Sequence, residues 1–163
     1  SMGDSTIVPR SGSTGASPAA VSTPYAGTAV RLPGVVQVER FDEGGEGLAY
    51  HDVDAGNQGG AFRNTGVDIE AASGGGYNLG WVAAGEWLAY SVDIQSAGQY
   101  TAQFRVAAYG AGGRFHLELD GSNISGSIVV PDTGWWQTWQ TVQAAVTLPA
   151  GAHVARLVMD SAG

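Results

Sequence analysis

The sequence predicts an all-β domain, a β-sandwich jelly roll of two packed antiparallel sheets. Three observations predict it. From Val35 onward, short runs in which apolar and polar residues alternate follow one another closely. Gly, Pro, Asp or Asn bounds these runs, and no stretch sustains the apolar period of a helix. Alternation at period two marks a strand buried on one face, because successive side chains point to opposite sides of the pleat.

The elements follow in order. Residues 1–23 open with Ser1-Met2, which reads as an expression scar, and continue as a Ser/Thr/Ala/Gly/Pro-rich stretch without sustained apolar period. Such a composition buries too little surface to fold alone and reads as a linker. The body, residues 24–163, contains strand-like runs at VVQVERF (35–41), EWLAYSVDI (86–94), GQYTAQFRVAA (98–108), RFHLELDG (114–121), WQTWQTVQAAVTL (136–148) and HVARLVM (153–159). In two of them the buried face is legible. Phe115, Leu117 and Leu119 oppose His116, Glu118 and Asp120; Tyr100, Ala102, Phe104 and Val106 oppose Thr101, Gln103 and Arg105. Both read as half-buried strands of a sandwich.

A chain of 163 residues suits one domain with a tail. There is no cysteine, so neither disulfides nor thiolate metal sites are available. No apolar run approaches the roughly 20 residues that span a bilayer. The seven basic residues, all arginine, stand against fifteen acidic ones, a net charge of −8 that repels nucleic acid and anionic membrane alike. A neutral partner is expected.

The segment TGWWQTW, residues 133–139, holds three of the five tryptophans. Strand alternation puts Trp135 and Trp139 on one face and Trp136 on the other, so at least one lies outside the core. Trp139 is assigned to the core, where large apolar area favours burial. Asp52, Asp54, Asp68, Glu70, Glu86, Glu118 and Asp120 offer carboxylates in the number a glycosidase needs. Solvated surface is nevertheless the commoner role for acidic residues on a strand's polar face, and no residue is assigned as catalytic. His51, His116 and His153 are too scattered for a metal cluster. GNQGG and GGGYN lack the lysine and the strand-to-helix setting of a phosphate cradle.

Four separated motifs occur in one order: VQVERFD, GGEGLAYHDVDAGNQGGAFR, VDIEAASGGGYNLGWVAAGEWLAYSVDI and PDTGWWQTWQTV. Together they resemble a family 6 carbohydrate-binding module over residues 24–160, and the lead-in TPYAGTAVRLPG is similar to what precedes such modules in multidomain enzymes. The resemblance implies a jelly roll that binds polysaccharide without catalysis, as an appendage of a secreted glycoside hydrolase. It implies stacking of sugar on Trp81 and Trp136, with Glu70 bonded to sugar hydroxyls and Asn78 and Tyr50 assisting. Trp135 stands where the family more often has Gly, and is expected at the rim. Trp87 and Glu118 match a second groove on the concave sheet face, although Trp87 reads equally well as core.

The resemblance also implies a structural calcium ion held by Gln37, Glu39 and the carbonyl of Tyr77. Gln37 and Glu39, two apart, would share one side of a strand, and converging oxygens suit a hard cation. The family's last strand, which carries a further ligand, has no counterpart before Gly163. An unpaired edge and weaker calcium binding are therefore expected, with Asp160 as substitute ligand. The expected partner is a polysaccharide or oligosaccharide, β-1,3-glucan first and agarose next, bound at chain ends. The alternatives are a small glycoside hydrolase and an adhesin-like sandwich without a sugar site.

Overall fold

The structure, a computed structural model, describes residues 21–162. Of the linker expected over 1–23, residues 1–20 lie outside the described residues. Ser22 and Thr23 are tied to the body. The Ser22 hydroxyl donates to Asp42 (2.7 Å), and Thr23 exchanges backbone hydrogen bonds with Glu43.

The described residues form eleven strands: β1 Val30–Leu32, β2 Tyr50–His51, β3 Ile69–Ala71, β4 Tyr77–Leu79, β5 Trp87–Ile94, β6 Gly98–Ala108, β7 Arg114–Leu119, β8 Ser122–Asn123, β9 Ile128–Val129, β10 Trp135–Leu148 and β11 Gly151–Ser161. The larger sheet runs β1-β5-β11-β7-β8, with β2 also on β5 and β9 also on β7. Against it lie the antiparallel pair β6–β10 and the small hairpin β3–β4. This is the expected all-β sandwich. One pair departs from the antiparallel rule, since β1 runs parallel to β5 with Val30 opposite Val92 and Leu32 opposite Ile94.

The core forms where two apolar stripes meet. Leu88, Tyr90, Val92 and Ile94 project from alternate positions of β5, and Val146 and Leu148 from β10 meet them, with Phe41, Tyr50, Val67 and Ile69 closing one end. On β6 the alternation gives the expected outcome. Thr101, Gln103 and Arg105 are exposed, while Tyr100, Ala102, Phe104 and Val106 are half-buried.

The sequence misplaces one element. VVQVERF is not a strand: residues 35–41 form coil and a turn in which the Arg40 amide donates to the Gln37 carbonyl (2.9 Å). The reason is Arg63. Its buried guanidinium donates to the carbonyls of Glu39, Phe41 and Asp42 and lies over the Phe41 ring, 3.7 Å from its centroid. A single side chain thus satisfies backbone acceptors that a neighbouring strand would otherwise satisfy. Gln37 and Glu39 consequently do not share the side of a strand. Gln37 is exposed, and Glu39 is buried in the turn at 5% exposure.

Candidate functional site

The tryptophan-rich segment owes its place to a large bulge. Between Trp135 and Gln140, five steps along β10 (135 to 140) match only two along β6 (108 to 106). The surplus residues arch away from β6 toward the β3–β4 hairpin, as a bulge does when its extra residues have no partner in the ladder. On that hairpin Glu70 and Asn78 are directly opposite, so their side chains share a face.

The arch delivers Gln137 to this pair. Glu70 Oε1 accepts from Asn78 Nδ2 (3.1 Å) and from Gln137 Nε2 (3.0 Å), and Gln137 Nε2 also lies 3.2 Å from Asn78 Oδ1. Ser73, in the hairpin loop, fixes the other side of Gln137: its amide donates to Gln137 Oε1 (2.7 Å) and its hydroxyl to the Gln137 carbonyl (2.8 Å). Glu70 Oε2 accepts no hydrogen bond among the described residues, which leaves a carboxylate oxygen for an incoming hydroxyl donor.

Aromatic surfaces flank this polar cluster. Trp81 is 52% exposed and follows Gly80, where a Cβ would stand 3.6 Å from Glu70 Oε1. Trp81 itself has φ +48°, a left-handed conformation uncommon for a bulky residue, and the constraint fits a side chain held for use rather than for packing. Trp136, on the arch next to Gln137, is 55% exposed. Its ring packs on Trp135 (5.0 Å between centroids) and on Tyr109 (5.1 Å).

Three expectations change here. Trp135 and Trp136 do not face opposite ways, because the bulge breaks the alternation and brings both rings together in solvent. Trp139 is not in the core. It shares the outer face with Thr141, lies under the Arg105 guanidinium (4.7 Å) and donates its indole N–H to Ser73 Oγ (2.9 Å). Tyr50 is a core residue, 8% exposed, edge-on to Phe41, with its hydroxyl accepting from the Gly66 amide (3.1 Å). It is not brought to the Glu70 cluster. The reading of the sequence missed Gln137 and Tyr109; only the position of Gln137 between two tryptophans signals its role.

Trp87 and Glu118 do share the outer face of the larger sheet. Register places Arg156 between them, opposite both Ala89 and Glu118. The Arg156 guanidinium lies 3.8 Å from the Trp87 ring centroid. His116 is bonded on both sides, Nε2 to Glu118 (2.8 Å) and Nδ1 to Asp160 (2.8 Å). Burial pulls the imidazole pKa down, but the bonds to Asp160 and Glu118 outweigh it and the net shift is upward.

Near Gln37 and Glu39, the exposed Tyr77 packs on Phe62 (4.9 Å), which packs on Tyr25, and Arg40 covers both of those rings. Tyr90 donates its hydroxyl to the Val38 carbonyl (2.7 Å), and burial, with Glu39 nearby, pushes its pKa up.

A separate acidic group lies in the loops beside β2 and β3. One carboxylate oxygen each from Asp52, Asp54 and Asp68 falls within 4.8 Å of the others. Burial pushes Asp52 up to about 6; the Asp54 amide opposes this, while the charges of Glu86, Asp68 and Asp54 add to it. Asp68 is likewise raised by burial.

An exposed aromatic pair around a bonded carboxylate and two amides has the chemistry that a sugar demands. Apolar C–H faces pack on indole, and equatorial hydroxyls meet fixed donors and acceptors. Comparison with known proteins agrees. The profile described as "Carbohydrate binding module (family 6)" matches residues 61–163. Among solved structures, the C-terminal module of LamC, a marine laminarinase from Zobellia galactanivorans, is 34% identical with a TM-score of 0.57, covering 68% of this chain and 90% of that one. A module of Cellvibrio mixtus lichenase 5A, solved with cellotriose, is 36% identical with a TM-score of 0.55, covering 67% and 87%. A β-1,3-glucan-binding module from Bacillus halodurans is 25% identical with a TM-score of 0.62, covering 83% and 89%.

Among curated proteins, the clotting factor G alpha subunit of Tachypleus tridentatus is 38% identical over 96 residues, 56% of this chain and 14% of that protein. The arabinoxylan arabinofuranohydrolase of Paenibacillus polymyxa is 35% identical over 98 residues, 56% and 15%. The chain thus matches only a small part of the length of these relatives. The profile match, the shared sandwich and the aromatic-flanked polar cluster converge: this chain belongs to the family 6 carbohydrate-binding modules, which bind carbohydrate and are not catalytic.

Proposed function

We propose that the module binds chain ends of β-1,3-glucan in the space between Trp81 and Trp136, and that it holds an attached glycoside hydrolase on its polysaccharide outside the cell. The observation that carries this reading is the Glu70–Asn78–Gln137 cluster, fixed by three hydrogen bonds among its members and two from Ser73 to Gln137, and flanked by two exposed tryptophans. Preorganised polar groups beside apolar walls lower the ordering cost of binding a flexible sugar. A single oriented carboxylate suits the recognition of one terminal sugar unit. The similarity to a laminarinase module and to a β-1,3-glucan-binding module favours β-1,3-glucan over agarose, the next substrate class.

In this reading residues 1–23 serve as a linker, and 24–163 raise the effective concentration of a tethered enzyme near its substrate. A calcium ion held by Gln37, Glu39 and the Tyr77 carbonyl stabilises the fold, and Trp87 with Glu118 provides a second, weaker surface.

Affinity electrophoresis in gels containing β-1,3-glucan, agarose or xylan tests the ligand class. Each stacking wall contributes on the order of 1–3 kcal/mol by burial of a large apolar side chain, so losing one weakens binding roughly tenfold or more. Trp81→Ala and Trp136→Ala are therefore titrated with laminari-oligosaccharides by calorimetry. Unchanged affinity in both folded variants removes the site from this edge, and retardation by no glycan removes the function.

A further inference from the structure

We infer that Asp52, Asp54 and Asp68 form a binding site for a calcium-type divalent cation, separate from Gln37, Glu39 and Tyr77. The three carboxylates come from two loops, 52–54 after β2 and 68 just before β3, and converge until one oxygen of each lies within 4.8 Å of the others. Among the described residues none of the three is paired with an arginine. Two of the three, Asp52 and Asp68, also line a small cavity with His51 and a fourth acidic residue, Glu86.

A cluster of acids on a surface is commonplace; Asp68 is what distinguishes this one. It is 2% exposed, and its Oδ2 is buried without any hydrogen-bond partner. Buried polar atoms are almost always satisfied, and an orphaned carboxylate oxygen beside two other carboxylates calls for a cation.

One oxygen of each carboxylate is engaged. Asp68 Oδ1 accepts from the Gln58 amide (2.6 Å), Asp54 Oδ2 from Gln58 Nε2 (2.7 Å), and Asp52 Oδ1 from the Asp54 amide (3.1 Å). The neighbouring acids are engaged elsewhere: Glu86 accepts from the amides of Val53 and Ala83, and Glu46 from Asp52 and His51. The loops are thus fixed by bonds to one oxygen of each carboxylate. The oxygen left over on buried Asp68 has no role inside the protein.

The donor set decides the metal. Calcium takes roughly six to eight oxygen ligands, several carboxylates among them, at about 2.3–2.6 Å in a flexible geometry, whereas magnesium keeps several waters and uses one or two carboxylates. Three carboxylates whose oxygens lie within 4.8 Å of one another, on irregular loops, suit the larger ion.

The test is calorimetric titration of the chelator-treated full chain with Ca²⁺ and, separately, Mg²⁺. It compares wild type with Asp54→Asn, Asp52→Asn, Asp68→Asn and Glu39→Gln. Asp54 is exposed, so its variant keeps the fold even if Asp68→Asn does not. The expected result is a Ca²⁺-binding event that Asp54→Asn weakens by about tenfold or more, as affinity follows ligand charge, and that survives in Glu39→Gln. Absence of Ca²⁺ binding by the wild type, binding that Asp54→Asn and Asp52→Asn both leave intact, or tighter binding of Mg²⁺ than of Ca²⁺ overturns the assignment.

Discussion

Gln137 donates its side-chain amide to Glu70 (3.0 Å) across 67 residues of sequence, and this bond joins the arch of β10 to the β3–β4 hairpin. Both partners lie beside exposed tryptophans, so it sets where the walls stand as well as how the carboxylate points. Gln137→Ala leaves Glu70 held by Asn78 alone and frees the arch. Laminari-oligosaccharide affinity is expected to fall by roughly tenfold, the scale of one lost oriented contact. Glu70→Ala should lose more, because it removes the acceptor itself. Calorimetry on the two variants gives the ranking, and a larger loss in Gln137→Ala would reverse the roles assigned to them.

The left-handed backbone at Trp81 separates stability from affinity. A non-glycine residue in this region costs roughly 1–2 kcal/mol. Trp81→Gly relieves that strain while removing a ring that is half in solvent, so the melting temperature should hold or rise while sugar binding drops. Thermal melts paired with titrations check both arms. A falling melting temperature would mean that the indole packs against the fold more than its exposure indicates.

His116 makes the outer face sensitive to pH. Its folded pKa lies above the ordinary histidine value of about 6.5. The protonated form is therefore favoured by folding: its stabilisation is fully present below the unfolded pKa and is lost as pH rises through the folded one. His153, raised by its bond to Asp120, acts in the same direction. The informative quantity is thus the difference between wild type and His116→Gln. Melting temperatures recorded from about pH 5.5 to about pH 8.5 should fall with rising pH in both, but less steeply in the variant.

Gly59 is required by contact. A Cβ there would overlap the carbonyl of Ile69, the atom that accepts the Ala61 amide (3.1 Å). Gly59→Ala must displace the 57–61 loop, and with it the Gln58 amide from Asp68. Overpacking of this kind costs about 1–3 kcal/mol. Denaturant unfolding should show a lowered midpoint, and under the cation assignment Ca²⁺ affinity should fall as well.

What was legible in the sequence was what period two can carry. QYTAQFRVA and RFHLEL each give their buried face directly, because nothing interrupts the ladder over those residues. The bulge at 136–139 breaks the rule on which the reading of Trp135, Trp136 and Trp139 rested, since alternation holds only while every residue has a partner. VVQVERF has the pattern of a strand, yet Arg63, more than twenty residues away, takes its carbonyls. No local pattern records that. The aromatic pair Trp81 and Trp136 was found through motif order, whereas Gln137 and Tyr109 depend on the path of the arch and became visible only in three dimensions.

The outer face at Trp87 is already served from within. Arg156 covers the indole and His116 holds Glu118, so the ring and the acceptor are both engaged before any sugar arrives. A saccharide docking there competes with resident side chains, and the free energy it gains is the difference between two sets of contacts rather than the sum of new ones. Such a surface discriminates by displacement. A single sugar ring replaces one stacked group with another at little profit, whereas a longer chain, bridging past Arg156 to several positions at once, can dislodge it.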